Sequence, residues 1–147
     1  MERRLERAAT IVIRSKADPA LVLVVRRPTT PGEELPGLWG LPAASLRAGE
    51  TMEQAAHRIG PDKLGVTLRV TRELASGRLA REGFDLEMTL FEAEMDASEP
   101  DLRSPGASPG VTYYTDWRWA EPGSLKESAR RGSLCSRLLL EWLGDYD

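Results

Sequence analysis

The stretch PGLWGLPAASLRAGETMEQAAHRIGPDKLGV, residues 36–66, carries a sharply marked helix start and an equally marked stop. Thr51 is a good N-cap, and Gln54, three residues on, completes a reciprocal capping box. Met52, Ala55, Ala56 and Ile59 then recur at the spacing of one helical face. Gly60 and Pro61 follow, a residue tolerant of left-handed backbone and then one without an amide hydrogen. They predict that the helix ends or kinks sharply there.

Outward from this helix the chain reads as strands. Residues 9–15 and 21–27 are β-branched and apolar, with the turn-like Ala17-Asp18-Pro19 between them, and predict two strands paired in the core of a sheet. A Pro- and Gly-rich loop, residues 28–37, leads into a short strand in LWGLPA. Residues 67–79 and 84–95 predict a hairpin turned at Arg81, Glu82 and Gly83, with Phe84, Leu86, Met88 and Leu90 on one side. Residues 97–110, rich in Pro, Gly, Ser and acid, read as a mobile surface loop, either a lid or a plain insertion. A strand with four aromatics follows, and residues 124–143 read as one terminal helix with Leu134, Cys135, Leu138, Leu139 and Trp142 on a single face.

At 147 residues the chain suits one domain, residues 1–147, with a core of its own. No apolar run is long enough to span a bilayer, and the basic N-terminus lacks the pattern of a signal peptide, so the expected location is the cytoplasm. A net charge of −3 gives no basic surface for nucleic acid. A single cysteine, Cys135, excludes an internal disulfide and a cysteine-based metal knuckle.

The order of elements, with LWGLP before the helix, Leu64-Gly65-Val66 after it and WRWAEP before the last helix, resembles the Nudix hydrolase superfamily along nearly the whole chain. The family box is written G-x5-E-x7-R-E-U-x-E-E-x-G-U, with U a bulky aliphatic. Glu50, Arg58, Gly65 and Val66 match it at the required spacing. The resemblance implies an α/β/α sandwich, a mixed curved β-sheet between helices. It also implies hydrolysis of nucleoside diphosphates linked to another group, with Mg2+ or Mn2+ as cofactor.

The departures are as specific as the matches. Ala44 stands at the opening glycine, and R-E-U-x-E-E is replaced by Arg58, Ile59, Gly60, Pro61, Asp62 and Lys63, so none of the three glutamates after the arginine survives. Carboxylates three and four residues apart share a helix face and gather oxygens around divalent cations, which offset diphosphate charge and activate water. Here that face carries Ile59, Asp62 and Lys63, which sum to zero. An ammonium about 4 Å from even one unit of positive charge is repelled by roughly 4 kcal/mol at an effective dielectric of about 20. The expected consequence is a box in which Glu50, Arg58 and Asp62 are remnants and Asp62 is at most a weak metal ligand. A break at Gly60 and Pro61 would also turn Asp62 off the helix's phase. Restoring glutamate at positions 59 and 63 is then expected to need Gly60→Leu and Pro61→Lys as well, to rebuild the helix, and Ala44→Gly, to let the preceding loop approach a cation.

Glu50 and Arg58 can form either a structural ion pair or part of a catalytic set. His57 reads as solvent-facing. Trp39, Tyr113, Tyr114, Trp117 and Trp119 suit sheet packing or stacking on a nucleobase. Glu82, Asp85, Glu87, Glu92, Glu94 and Asp116 are candidate replacement ligands outside the box. Two functional readings follow: a weak or inactive hydrolase of nucleoside diphosphate derivatives, or a non-catalytic domain of the same fold. The second would bind a nucleotide-like small molecule or a partner protein, a second copy of the chain in a homodimer included.

Overall fold

A computed structural model describes residues 3–29, 35–102 and 113–145. In chain order it contains β1 (Arg4–Ile13), β2 (Val22–Arg26), β3 (Trp39–Gly40), β4 (Ala43–Ser45), α1 (Met52–Ile59), a π-helical turn (Gly60–Leu64), β5 (Leu68–Ala80), β6 (Phe84–Met95) and β7 (Asp116–Ala120). A 3-10 turn (Pro122–Leu125), α2 (Lys126–Arg130) and α3 (Leu134–Leu143) complete it. The strands form one sheet ordered β4-β1-β6-β5 and a smaller one ordered β3-β2-β7. Among the described residues only the β1–β6 pairing is parallel, so the larger sheet is mixed.

Alternation along the strands builds two cores. Ala9, Ile11 and Ile13 of β1 and Phe91, Ala93 and Met95 of β6 pack with Ala55, Ala56 and Ile59 of α1. The opposite face supplies Ala8 and Val12 with Met88 and Leu90, which meet Leu134, Leu138 and Leu139 of α3. Helices therefore cover both faces, the sandwich expected from the resemblance.

Two strand expectations change. β1 and β2 do not pair along their length; they meet only at an isolated bridge between Arg14 and Val22 and belong to different sheets. The turn between them explains this: Asp18 accepts Ala20 N–H on its side chain and Leu21 N–H on its carbonyl. The chain thereby crosses from one sheet to the other, while both edges of β1 are already taken by β4 and β6. LWGLPA likewise gives two short strands in separate sheets, split at Leu41 and Pro42.

The terminal helix is also broken. Gly132 adopts φ +104°, a left-handed conformation that stops α2, and Ser133 starts α3 from extended backbone. The loop expected at 97–110 lies largely outside the described residues.

The start of α1 follows the sequence. Thr51 Oγ1 accepts from Gln54 N–H at 3.1 Å, and Gln54 Oε1 accepts from Thr51 N–H at 2.9 Å. Thr51→Ala is expected to lower stability by about 1 kcal/mol, read from the urea midpoint; an unchanged midpoint would show that α1 is held by its core face alone.

Its end does not follow. Gly60 stays right-handed, at φ −58° and ψ −70°, and the chain continues into a widened turn rather than breaking. In a regular helix Pro61 would have to donate to the His57 carbonyl; it has no hydrogen, and Gly60 N–H takes that carbonyl instead. The carbonyl of Gly60 then accepts from both Gly65 and Val66, and Gly65 closes the turn at φ +64°. The added residue in the turn absorbs the proline.

Candidate functional site

Four charged side chains converge where β4 meets α1. Arg58, on the last turn of α1, grips Glu50 with two parallel hydrogen bonds, Nε to Oε2 and Nη2 to Oε1, each 2.9 Å. Its Nη2 also donates to the Ser45 carbonyl at 2.8 Å, and its Nη1 lies 3.3 Å from Asp62 Oδ2. Arg47 Nη2 reaches the same Asp62 oxygen at 3.0 Å, and Arg47 N–H donates to Glu50 Oε1 at 3.0 Å. The set carries two positive and two negative charges.

Because the π-helical turn keeps its right-handed path, Asp62 stays within reach of Arg58. The expectation that Gly60 and Pro61 would carry it away is corrected. Glu50, Arg58 and Asp62 are therefore brought together, with both carboxylates committed to arginines. Side chains of Glu50 and Arg58 are each 13% exposed, so this pair is shielded from water as surface pairs are not. The Arg58 hydrogen bonds hold Glu50 below the usual carboxylate pKa, against burial, which pushes it up; the Arg47 amide adds to the lowering. Glu50 correspondingly raises Arg58.

Lys63 occupies the position of the last box glutamate and is buried, 6% exposed. Its Nζ donates to the Ala43 carbonyl at 2.6 Å and sits 5.2 Å from the centroid of the Tyr114 ring. Tyr114 OH brackets the backbone of the same residue: it accepts from Ala43 N–H at 2.8 Å and donates to Ala43 O at 3.1 Å. Ala43 is the residue before Ala44, where the box would open. Ile59, at the first missing glutamate, is fully buried among apolar neighbours.

Five of the six candidate ligands outside the box are paired elsewhere, and Glu82 is exposed at the hairpin turn. Asp85 pairs with Arg3, Glu87 with Arg7 and Arg78, Glu92 with Arg72, Glu94 with Arg69 and Asp116 with Arg26. Thr71 Oγ1, donating at 2.9 Å, holds Glu92 below its ordinary pKa. No group of three or more His, Cys, Asp or Glu side chains placed to hold a metal occurs among the described residues. A divalent cation does not fit this donor set: two carboxylates are ion-paired, one position is apolar and one is an ammonium.

His57 is exposed. Trp117 and Trp119 pack edge to face, centroids 6.2 Å apart, and Trp39 lies under the Arg118 guanidinium. These are packing roles within the small sheet. An open depression of about 440 Å3 beside the π-helical turn, lined by Pro61, Gly65, Val66, Thr67, Asp96 and Ala97, includes none of the four converging charges.

Arg47 and Tyr114 are members of the site that spacing alone does not reveal, and spacing does not show that Lys63 is buried in it. Arg47 falls at an unspecified position between Ala44 and Glu50, and Tyr114 arrives from a distant segment. The only signal for Lys63 was its placement at a box position.

The family description "NUDIX domain" matches residues 4–143. No curated protein matches the chain. Among solved structures, a MutT protein from Methanosarcina mazei Go1 superposes with TM-score 0.71 at 13% identity, covering 98% of this chain and 94% of that one. A NUDIX hydrolase from Nitrosomonas europaea gives 0.70 at 13%, covering 97% and 88%. A C. elegans Ap4A hydrolase in a binary complex gives 0.67 at 19%, covering 96% and 99%. These likenesses concern the fold, and the match spanning residues 4–143 settles membership: the chain belongs to the Nudix family.

Proposed function

We propose that this chain is a Nudix-fold domain that binds a nucleotide-like, diphosphate-bearing small molecule and hydrolyses it weakly or not at all with divalent metals. One observation carries the reading: Arg58 and Arg47 together occupy both remaining box carboxylates, Glu50 and Asp62. A carboxylate whose charge is already offset by a guanidinium attracts a divalent cation less, and the arginine charges beside it repel one. The same arginines are the side chains suited to phosphate oxygens, Arg47 with 60% of its side chain exposed. Solved neighbours that include a MutT protein and an Ap4A hydrolase favour a nucleotide-like ligand over a partner protein.

No helix among the described residues is long and apolar enough to cross a membrane. We place the domain in the cytoplasm, where nucleotides are abundant, and propose no nucleic-acid partner, since the chain is acidic overall.

Calorimetry with a panel of nucleoside diphosphate derivatives, with and without EDTA, tests the reading. Binding that survives EDTA, with turnover near background in Mg2+ or Mn2+, is the expected result. Robust turnover abolished by EDTA would overturn it.

A further inference from the structure

The Lys63 ammonium and the Ala43 carbonyl form a contact with chemistry of its own. A glutamate at position 63 would turn a carboxylate toward the same carbonyl, oxygen against oxygen. Two such oxygens repel, and a cation between them offsets that repulsion. Lysine closes the gap directly, donating at 2.6 Å with no ion needed. The remaining capacity of that carbonyl is taken by Tyr114 OH at 3.1 Å, and the aromatic face of Tyr114 lies against the ammonium. A buried charge requires such partners, and this one has them.

We infer that Lys63 is a covalently supplied cation that takes the place of a divalent ion on the Ala43 carbonyl, so that lysine and metal exclude each other from one position. The ammonium ties together three elements: the π-helical turn carrying Lys63, β4 carrying Ala43, and the segment entering β7 that carries Tyr114. Such a site is permanently loaded, and its geometry is independent of cellular magnesium. The inference rests on the reading of a site without metal. Its test contains no nucleotide, so its failure is separable from failure of ligand binding.

The test is a Mn2+ titration of the full chain, followed by paramagnetic broadening of backbone amide resonances and by melting temperature. In the natural chain we expect no selective broadening around Ala43 and no rise in melting temperature. Lys63→Glu is expected to melt lower without metal, to bind Mn2+ at least about tenfold tighter than the natural chain, and to recover stability as it binds, with broadening centred on Ala43. A variant that folds only when Mn2+ is added gives the same answer.

Lys63→Met keeps the stem and removes the charge; it is expected to melt lower than the natural chain and to gain nothing from Mn2+. Three outcomes overturn the inference: selective broadening at Ala43 in the natural chain, a folded Lys63→Glu protein that leaves Mn2+ unbound, or a Lys63→Met protein as stable as its parent. Should Lys63→Glu not fold under any condition, the melting temperature of Lys63→Met decides the matter.

Discussion

Gly60→Leu is expected to destabilise the domain by about 3 kcal/mol or more, although it replaces a poor helix former by a good one. A Cβ placed on Gly60 lies 2.6 Å from the Val66 carbonyl oxygen and 2.7 Å from Leu68 Cγ. The first of these is backbone and cannot swing aside. Moving Gly60 away instead would strain the hydrogen bonds that its carbonyl accepts from Gly65 and Val66, which close the π-helical turn. The side-chain atoms beyond Cβ then add to a core where Leu64 and Ile59 are already fully buried. Urea unfolding is the measurement, with Gly60→Ala expected to shift the midpoint in the same direction by a smaller amount. If Gly60→Leu matched the natural stability, the turn would be free to revert to a regular helix, and the sequence-based route to a restored box would stand.

Arg58→Ala is expected to cost about 3 kcal/mol at neutral pH. The change leaves Glu50 a shielded carboxylate with only the Arg47 amide to satisfy it, and removes donors from Asp62 and the Ser45 carbonyl. The pH dependence identifies the cause. Glu50 has its folded-state pKa depressed, so its contribution is fully present above its unfolded value and is lost as pH falls through the folded one. Stability of the natural chain should therefore decline through the acidic carboxylate range, and the Arg58→Ala chain should show a shallower decline. Urea midpoints between neutral pH and about pH 3 read both slopes. Equal slopes in the two proteins would mean that the ion pair does not hold Glu50 in its charged form.

Much of this architecture was legible because it rests on local rules. The capping box at Thr51 and Gln54, the hairpin of β5 and β6, and the Glu50–Arg58 pairing all followed from spacing and residue type. What escaped depended on geometry that spacing does not encode. Proline after glycine reads as a stop because an α-helix cannot absorb the missing hydrogen, yet a turn one residue wider can, and nothing in the composition distinguishes the two. Lysine reads as a solvated residue, and its burial here depends on a tyrosine about a third of the chain away. The separation of β1 from β2 was hidden for a similar reason: adjacency in sequence suggested pairing, while parallel β6 already held the edge of β1.

The loss of glutamate at 59 and its replacement by lysine at 63 also belong together physically. With Ile59 in the apolar cluster and Lys63 on a carbonyl, no position on this face leaves an isolated carboxylate in need of a counter-ion.

For sequence drift, the widened turn at Gly60 and Pro61 works as a ratchet. Any mutational path from this chain to the family's full box must refill position 60 with an aliphatic side chain. That step collides with the Val66 carbonyl for as long as Pro61 keeps the turn wide. Replacing Pro61 first yields a chain whose helix could tighten, but whose Lys63 would then be carried off the Ala43 carbonyl it now satisfies. Both of these steps pass through a less stable intermediate, so the widened turn is easier to keep than to undo.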